Sequence, residues 1–175
     1  MDGLFELGNF EAVIHFAALK AVGESVAIPL DYYRVNVYGT VVLVNAMKKF
    51  GVKKLIYSSS ASVYGNSGSD PLKETIPLAP ACPYASTKAM SERILEDFCA
   101  SDPSFEATSL RYFNPVGAHP SGRIGEMSGQ RPNNILPYIE QIAVGVQPQL
   151  NVFGSDYETR DGTGERDYIH IMDLA

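Results

Sequence analysis

Apolar and polar positions along this chain follow two periods, and the switches between them mark out a succession of strands and helices. Val13-Ile14-His15-Phe16-Ala17 is a short, nearly continuous apolar run and predicts a buried strand. Pro29 is well suited to open a helix. After it, Tyr32, Tyr33, Val35, Asn36, Val37, Val41, Val42, Leu43 and Met47 carry a helical pattern to Phe50, and Gly51 supplies the stop. The run is richer in Val than helix propensity favours, but its length argues against a strand. Lys54-Leu55-Ile56-Tyr57-Ser58 predicts the next strand, followed by a Ser/Gly/Asn/Asp/Pro-rich loop through Pro83. From about Tyr84 to Cys99, Met90, Ile94, Leu95 and Phe98 recur at helical spacing, and Ala107 to Phe113 reads as a third strand.

Strand, helix, strand, helix, strand is the pattern of a parallel sheet with right-handed crossovers, an α/β architecture. Asn114 to Pro132 holds four Gly and three Pro and reads as a long loop. Beyond it the pattern predicts a short helix near Asn134 to Val144, a short strand at Val152-Phe153, a Gly-rich loop and a strand from Asp167 to Ile171. No internal repeat or low-complexity tract interrupts the order.

Composition narrows the partners. Hydrophobic residues make up 45% of the 175 residues and charged residues 19%, ordinary for a soluble globular protein. The net charge of -6 gives no reason to expect nucleic acid, so an anionic substrate would need a local basic pocket. No apolar run is long enough for a membrane span. The first residues are acidic where a signal peptide would be basic, so the expected location is cytoplasmic. Cys82 and Cys99 form no disulfide framework, and His15, His119 and His170 lack metal-ligand spacing, so no metal is expected. A strand-like run barely ten residues in, and an apolar segment ending without a cap or polar tail, lead to the expectation of a chain cut at both ends.

In a doubly wound sheet, ligands sit at the carboxyl ends of the strands. Three segments fall there: Phe16-Ala17-Ala18-Leu19-Lys20, Ser58 to Gly65, and Tyr112-Phe113-Asn114-Pro115. Beside them Tyr84 and Lys88, spaced i, i+4, share one helical face. A free phenol titrates near pH ~10, so Tyr84 needs its anion stabilised to act as a base near neutrality, and a neighbouring ammonium does that. Alone, the pair is better read as a surface helical pair. Of ten tyrosines only Tyr84 is followed by Lys at the fourth position. Three serines ending a strand shift the balance. Ser58 and Ser59 read as capping and turning residues, whereas Ser60 is placed to exchange a proton with a sugar hydroxyl.

Ser58-Ser59-Ser60-Ala61-Ser62-Val63-Tyr64-Gly65 followed by Tyr84-x-x-x-Lys88 resembles the extended short-chain dehydrogenase/reductase family. Phe16 to Ser25, Arg111 to Gly122 and Gly162 to His170 narrow the resemblance to its UDP-glucose 4-epimerase branch, in that family's order and over nearly the whole chain. The resemblance implies a partial Rossmann-type doubly wound parallel sheet over residues 1–113 and part of a small substrate-binding region over 114–175. It implies NAD as cofactor, UDP-glucose and UDP-galactose as substrates within galactose metabolism, a 4-keto sugar intermediate, and a homodimer. Ser60 and Tyr84 would be the catalytic pair, with Lys88 holding the nicotinamide ribose and lowering the Tyr84 pKa. Phe16, Ala17, Ala18, Leu19 and Lys20 would line the NAD site, and Tyr112 and Phe113 would border nicotinamide and sugar. The UDP-sugar would also meet Lys20, Ala61, Ser62, Asn114, Asn133, Asn134, Ile135, Asn151, Val152, Phe153 and Arg166. A guanidinium suits a phosphate oxygen, although Arg166 could equally pair with a nearby acid.

Ala18 stands where the family commonly has Gly, and Ser62 where it commonly has Thr. The glycine-rich turn that binds a pyrophosphate, and the acidic residue that reads the adenosine ribose, are absent from this sequence. Two alternatives therefore stay open: an incomplete chain without catalysis, or a related UDP-pentose 4-epimerase. Related dehydratases and decarboxylases place carboxylates just after the active-site Ser or Thr. Here Ala61 and Ser62 stand there, with no acid before Asp70.

Overall fold

A computed structural model describes residues 1–66, 71–126, 132 and 134–175. They form two units, Met1–Tyr112 and Phe113–Ala175.

In the first unit, a short helix α1 (Asp2–Phe5) precedes strand β1 (Val13–His15). Helices α2 (Val22–Ala27) and α3 (Pro29–Tyr32) follow, and α3 runs through a π-helical turn, Tyr33–Tyr38, into α4 (Gly39–Phe50). The single helix expected from Pro29 to Phe50 is thus continuous but carries one wide turn. Gly51, at φ 73°, ends it in the left-handed region that glycine enters without steric cost. Strand β2 (Lys54–Ser58), a 3-10 turn (Ala61–Tyr64), helix α5 (Pro83–Ser101) and strand β3 (Glu106–Leu110) complete the unit.

The three strands pair in parallel in the order β1-β2-β3, with Val13 opposite Leu55, His15 opposite Tyr57, and Leu55 opposite Ala107. The parallel α/β sheet expected from the pattern is present. Its period of two sends Leu55 and Tyr57 into a core with Leu43, Val44 and Met47 of α4, Leu95 of α5, and Phe105. The other face differs from expectation. Ile14 is 60% exposed and Ile56, its register partner, 38% exposed, so β1 is not a buried strand. No described helix covers that row, and β1 stops at His15 because Phe16 and Ala17 have left the ladder.

In the second unit, strand β4 (Asn114–Val116) pairs in parallel with β5 (Tyr168–His170), followed by helix α7 (Ile171–Leu174), while α6 (Ile135–Ala143) lies between them in sequence. The start of the expected loop at Asn114 is therefore a strand. Its partner lies far along the chain, so no local pattern announces it. Gly117, φ 87°, lets the chain turn out of β4 where a Cβ would run into the His170 ring. Val152-Phe153 is not a strand: both residues are exposed, and Gly154 at φ 83° turns the backbone at once.

Candidate active site

The carboxyl end of β2 leads straight into the candidate residues. Ser60 is extended and caps the 3-10 turn, its Oγ accepting from the Ser62 amide at 3.2 Å and from the Ser62 hydroxyl at 2.9 Å. The Ala61 amide donates to the Tyr112 carbonyl at 3.1 Å, which fastens this turn to the end of β3. Ser58 is hydrogen-bonded through its hydroxyl to the Tyr112 hydroxyl, and Ser59 donates to the Glu92 carboxylate. Ser58 and Ser59 thus serve the framework, and Ser60 is the half-buried serine beside Tyr84.

Helix α5 starts at Pro83, with the Cys82 thiol accepting from the Ala85 amide at 3.5 Å. Tyr84 and Lys88 fall on its inner side. Lys88 is 3% exposed, donates to the Ser58 carbonyl at 2.6 Å, and lies 5.0 Å from the Tyr57 ring and 5.9 Å from the Tyr84 ring. It is no surface residue. Burial drives its ammonium down to about 8, and the Glu92 carboxylate one turn further acts in the opposite direction. Burial raises the Tyr84 phenol above its ordinary value, and the Ser60 hydroxyl opposes the rise. His15, whose ring is 5.7 Å from Tyr57, is lowered by burial first and by the Lys88 charge second.

The Phe16–Lys20 segment is pinned by a residue that sequence reasoning passed over. Asn36, buried in the π-helical turn, accepts from the Leu19 amide at 2.8 Å and donates to the Leu19 carbonyl at 3.0 Å. It also reaches Thr87 Oγ1 on α5 at 3.0 Å. One amide side chain therefore joins the segment after β1 to the helix of Tyr84 and Lys88. A single Asn between Val35 and Val37 in an apolar helical run, where Asn is a poor helix former, was the available signal. π-helical turns are frequent at functional positions. Phe16, Ala17 and Lys20 are exposed, while Ala18 and Leu19 are half-buried.

The second unit holds its own cluster. Asn114, Asn134, Ile135 and Arg166 line one cavity of about 440 Å³, together with Glu126, Glu140 and Tyr168. Asn114 is fixed by its amide side chain, which donates to the Asp167 carbonyl at 2.9 Å, and Asn134 donates to Glu126 at 3.2 Å. Arg166 donates to its neighbour's carbonyl, Glu165, at 2.7 Å. Asn151, Val152 and Phe153 do not line this cavity, and Phe153 is 88% exposed. Phe113 is exposed, and Asn133 lies outside the described residues. Among the described residues no His/Cys/Asp/Glu group could hold a metal ion, and no helix is long and apolar enough to cross a membrane.

A family model described as NAD dependent epimerase/dehydratase matches residues 1–175. The chain belongs to the NAD dependent epimerase/dehydratase family. Among curated members, it is 57% identical over 175 residues to a UDP-glucose 4-epimerase of Bacillus subtilis (strain 168), covering 100% of this chain and 52% of the relative. Among solved structures, it superposes with a TM-score of 0.94 and 51% identity on UDP-glucose 4-epimerase from Bifidobacterium longum in complex with NAD+ and UDP, over 99% of this chain and 52% of that one. A UDP-glucose-4-epimerase from Stenotrophomonas maltophila, with bound NAD and formylated UDP-arabinopyranose, gives 0.93 and 48% over the same shares. The chain spans about half the length of these epimerase/dehydratase relatives.

For a family that is NAD dependent, the residues present fit a cofactor at the carboxyl edge of the sheet. The Leu19 backbone is held by Asn36 beyond the carboxyl end of β1, next to the helix that carries the buried Lys88 ammonium and Tyr84.

Proposed function

We propose that this chain carries the catalytic residues of a UDP-glucose/UDP-galactose 4-epimerase that uses NAD. The observation that carries this reading is the buried Lys88 ammonium beside the Tyr84 ring, on a helix packed against the turn that begins at Ser60. Tyr84, as phenolate, takes the proton from the sugar 4-hydroxyl, with Ser60 assisting or relaying. Burial makes that phenolate costly and the Ser60 hydroxyl opposes the cost, and an ammonium at Lys88 would offset it further. Phe16, Ala17, Ala18, Leu19, Lys20, Tyr112 and Phe113 would border the cofactor, with Lys88 on its ribose. Bound there, NAD would supply the redox chemistry, a reversible exchange of hydride with sugar C4 by way of a 4-keto sugar.

The substrate-binding role falls to residues 114–175, and the cofactor role to residues 1–113. The shared cavity of Asn114, Asn134, Ile135 and Arg166 supports this, with the Arg166 guanidinium suited to a diphosphate oxygen in an acidic protein. Asn133, Asn151, Val152 and Phe153 are assigned to the UDP-sugar on family resemblance alone. So are galactose metabolism, a cytoplasmic location and a homodimer. A UDP-pentose is the second substrate to test, since a relative of 48% identity was solved with a UDP-arabinopyranose derivative.

The test is purification, detection of bound NAD by absorbance and fluorescence, and assay of UDP-galactose conversion. Tyr84→Phe is expected to lower turnover by at least about 100-fold while leaving the fold intact. Near-normal turnover of Tyr84→Phe would overturn the mechanism. A folded protein with neither NAD nor turnover would favour a chain without catalysis.

A further inference from the structure

Glu92 lies on α5 one turn beyond Lys88 and two beyond Tyr84, and is 2% exposed. Its carboxylate accepts from the Ser59 hydroxyl and from the Arg111 guanidinium, Nε at 3.0 and 3.1 Å and Nη2 at 2.6 Å. Arg111 Nη1 goes on to the Tyr64 hydroxyl at 3.1 Å and the Glu74 carbonyl at 3.2 Å. Each partner adjoins a candidate residue. Ser59 precedes Ser60, Tyr64 closes the turn that Ser60 opens, and Arg111 precedes Tyr112, whose carbonyl holds the Ala61 amide.

Stability is a weak reason for such an arrangement. Taking both charges out of water costs about as much as their attraction returns, and apolar packing of the same volume is often as stable. What a forked, charge-assisted pair supplies is fixed geometry. We propose that Glu92 is a positioning residue for the Ser60–Tyr84–Lys88 cluster, clamping the segments that carry Ser60 and Tyr112 onto the helix that carries Tyr84 and Lys88. The proposal rests on the reading of those three residues as the reaction centre. A second link points the same way. The titratable groups facing Lys88 are His15 from β1, Tyr57 from β2, and Tyr84 and Glu92 from α5, and of these Glu92 alone is a carboxylate. Its charge opposes the loss of the Lys88 proton that burial favours.

The experiment compares wild type, Glu92→Gln and Ser59→Ala in the full protein. It measures kcat and KM for UDP-galactose, the melting temperature, and the Tyr84 titration by NMR of [13Cζ]tyrosine, assigned by its loss in Tyr84→Phe. Glu92→Gln is expected to lower kcat by about 10- to 100-fold with KM little changed, the cost of slight misplacement, and to move the Tyr84 midpoint upward as the Ser60 hydroxyl that holds it down slips out of place. Ser59→Ala keeps the ion pair and is expected to lower kcat several-fold with a fall in melting temperature of only a few degrees, the cost of one buried hydrogen bond. A folded Glu92→Gln with wild-type kcat and an unmoved Tyr84 midpoint overturns the proposal, because a merely structural residue would change only the melting temperature. If Glu92→Gln does not fold, Ser59→Ala decides: wild-type kcat overturns the clamp, and reduced kcat in a protein still fully folded at the assay temperature supports it. Absence of turnover in the wild type would sink the epimerase reading, and the Tyr84 midpoint in Glu92→Gln would still decide the clamp.

Discussion

The two units hold their candidate residues by opposite means. In the first, Ser60 and Tyr84 are half-buried, but Lys88 and the polar groups behind them, Glu92, Ser59, Asn36 and Thr87, are buried and fixed by hydrogen bonds against a core of Leu43, Met47, Leu55 and Leu95. In the second, no described residue is buried, and the residues that line its cavity are exposed or half-buried. The difference suits the proposed roles: proton transfer would need closely placed atoms, and packed interiors supply that rigidity. Holding a charged, well-hydrated nucleotide would need donors that water can reach, and an open polar cavity supplies those.

The contrast is sharpest between two arginines. Arg111→Met leaves Glu92 buried without its partner and is expected to cost about 3–5 kcal/mol, read from urea unfolding. Arg166→Met, at an exposed site, is expected to stay within about 0.5 kcal/mol of wild type. Equal effects would erase the distinction between the units. The aliphatic version of the test is slightly smaller. Leu95→Ala, 2% exposed, should cost about 2–4 kcal/mol, and Ile139→Ala, 40% exposed on α6, less than about 1 kcal/mol.

Lys88 gives a pH signature confined to the first unit. Its folded value, about 8, lies below the ordinary lysine value of 10.5. Between these values the unfolded chain binds the proton and the folded chain does not, so stability rises with pH across that window. The slope from this group approaches about 1.4 kcal/mol per pH unit, and Lys88→Met should remove it. A wild-type slope unchanged in Lys88→Met would mean the ammonium is not held in the interior. Smallest is Gly51→Ala, which forces a Cβ into the left-handed region and should cost about 1 kcal/mol in a melting curve. Open space around Gly51 leaves backbone strain as the only cause.

The elements legible from sequence were those whose pattern is local. Helix α5 and strands β2 and β3 fell within a few residues of expectation because the burial of Leu95, Leu55 and Tyr57 follows their own periods. Helix α2 and the turn Ala61–Tyr64 escaped because a six- or four-residue element shows too little of any period. Strand β4 escaped because it exists only through β5. The site divides in the same way. Tyr84 and Lys88 share a helical face by their spacing, a weak sign until the serine run before them is added, and the structure adds that Lys88 is buried. Glu92 and Asn36 were illegible as site residues, since Ser59, Arg111, Leu19 and Thr87, their partners, are distant in sequence.

The π-helical turn at Tyr33–Tyr38 has a consequence for length. Such a turn holds one more residue than an α-helical turn of the same span, so the sequence here carries a built-in insertion. Deleting one residue from it would let the helix close into regular α geometry and rotate everything beyond by about 100°. Leu43 and Met47 would then swing away from β2, and Asn36 could no longer face Leu19 and Thr87 together. A single lost codon in this stretch would therefore damage core and site at once, whereas one lost from the exposed loop around Gly8 would be absorbed.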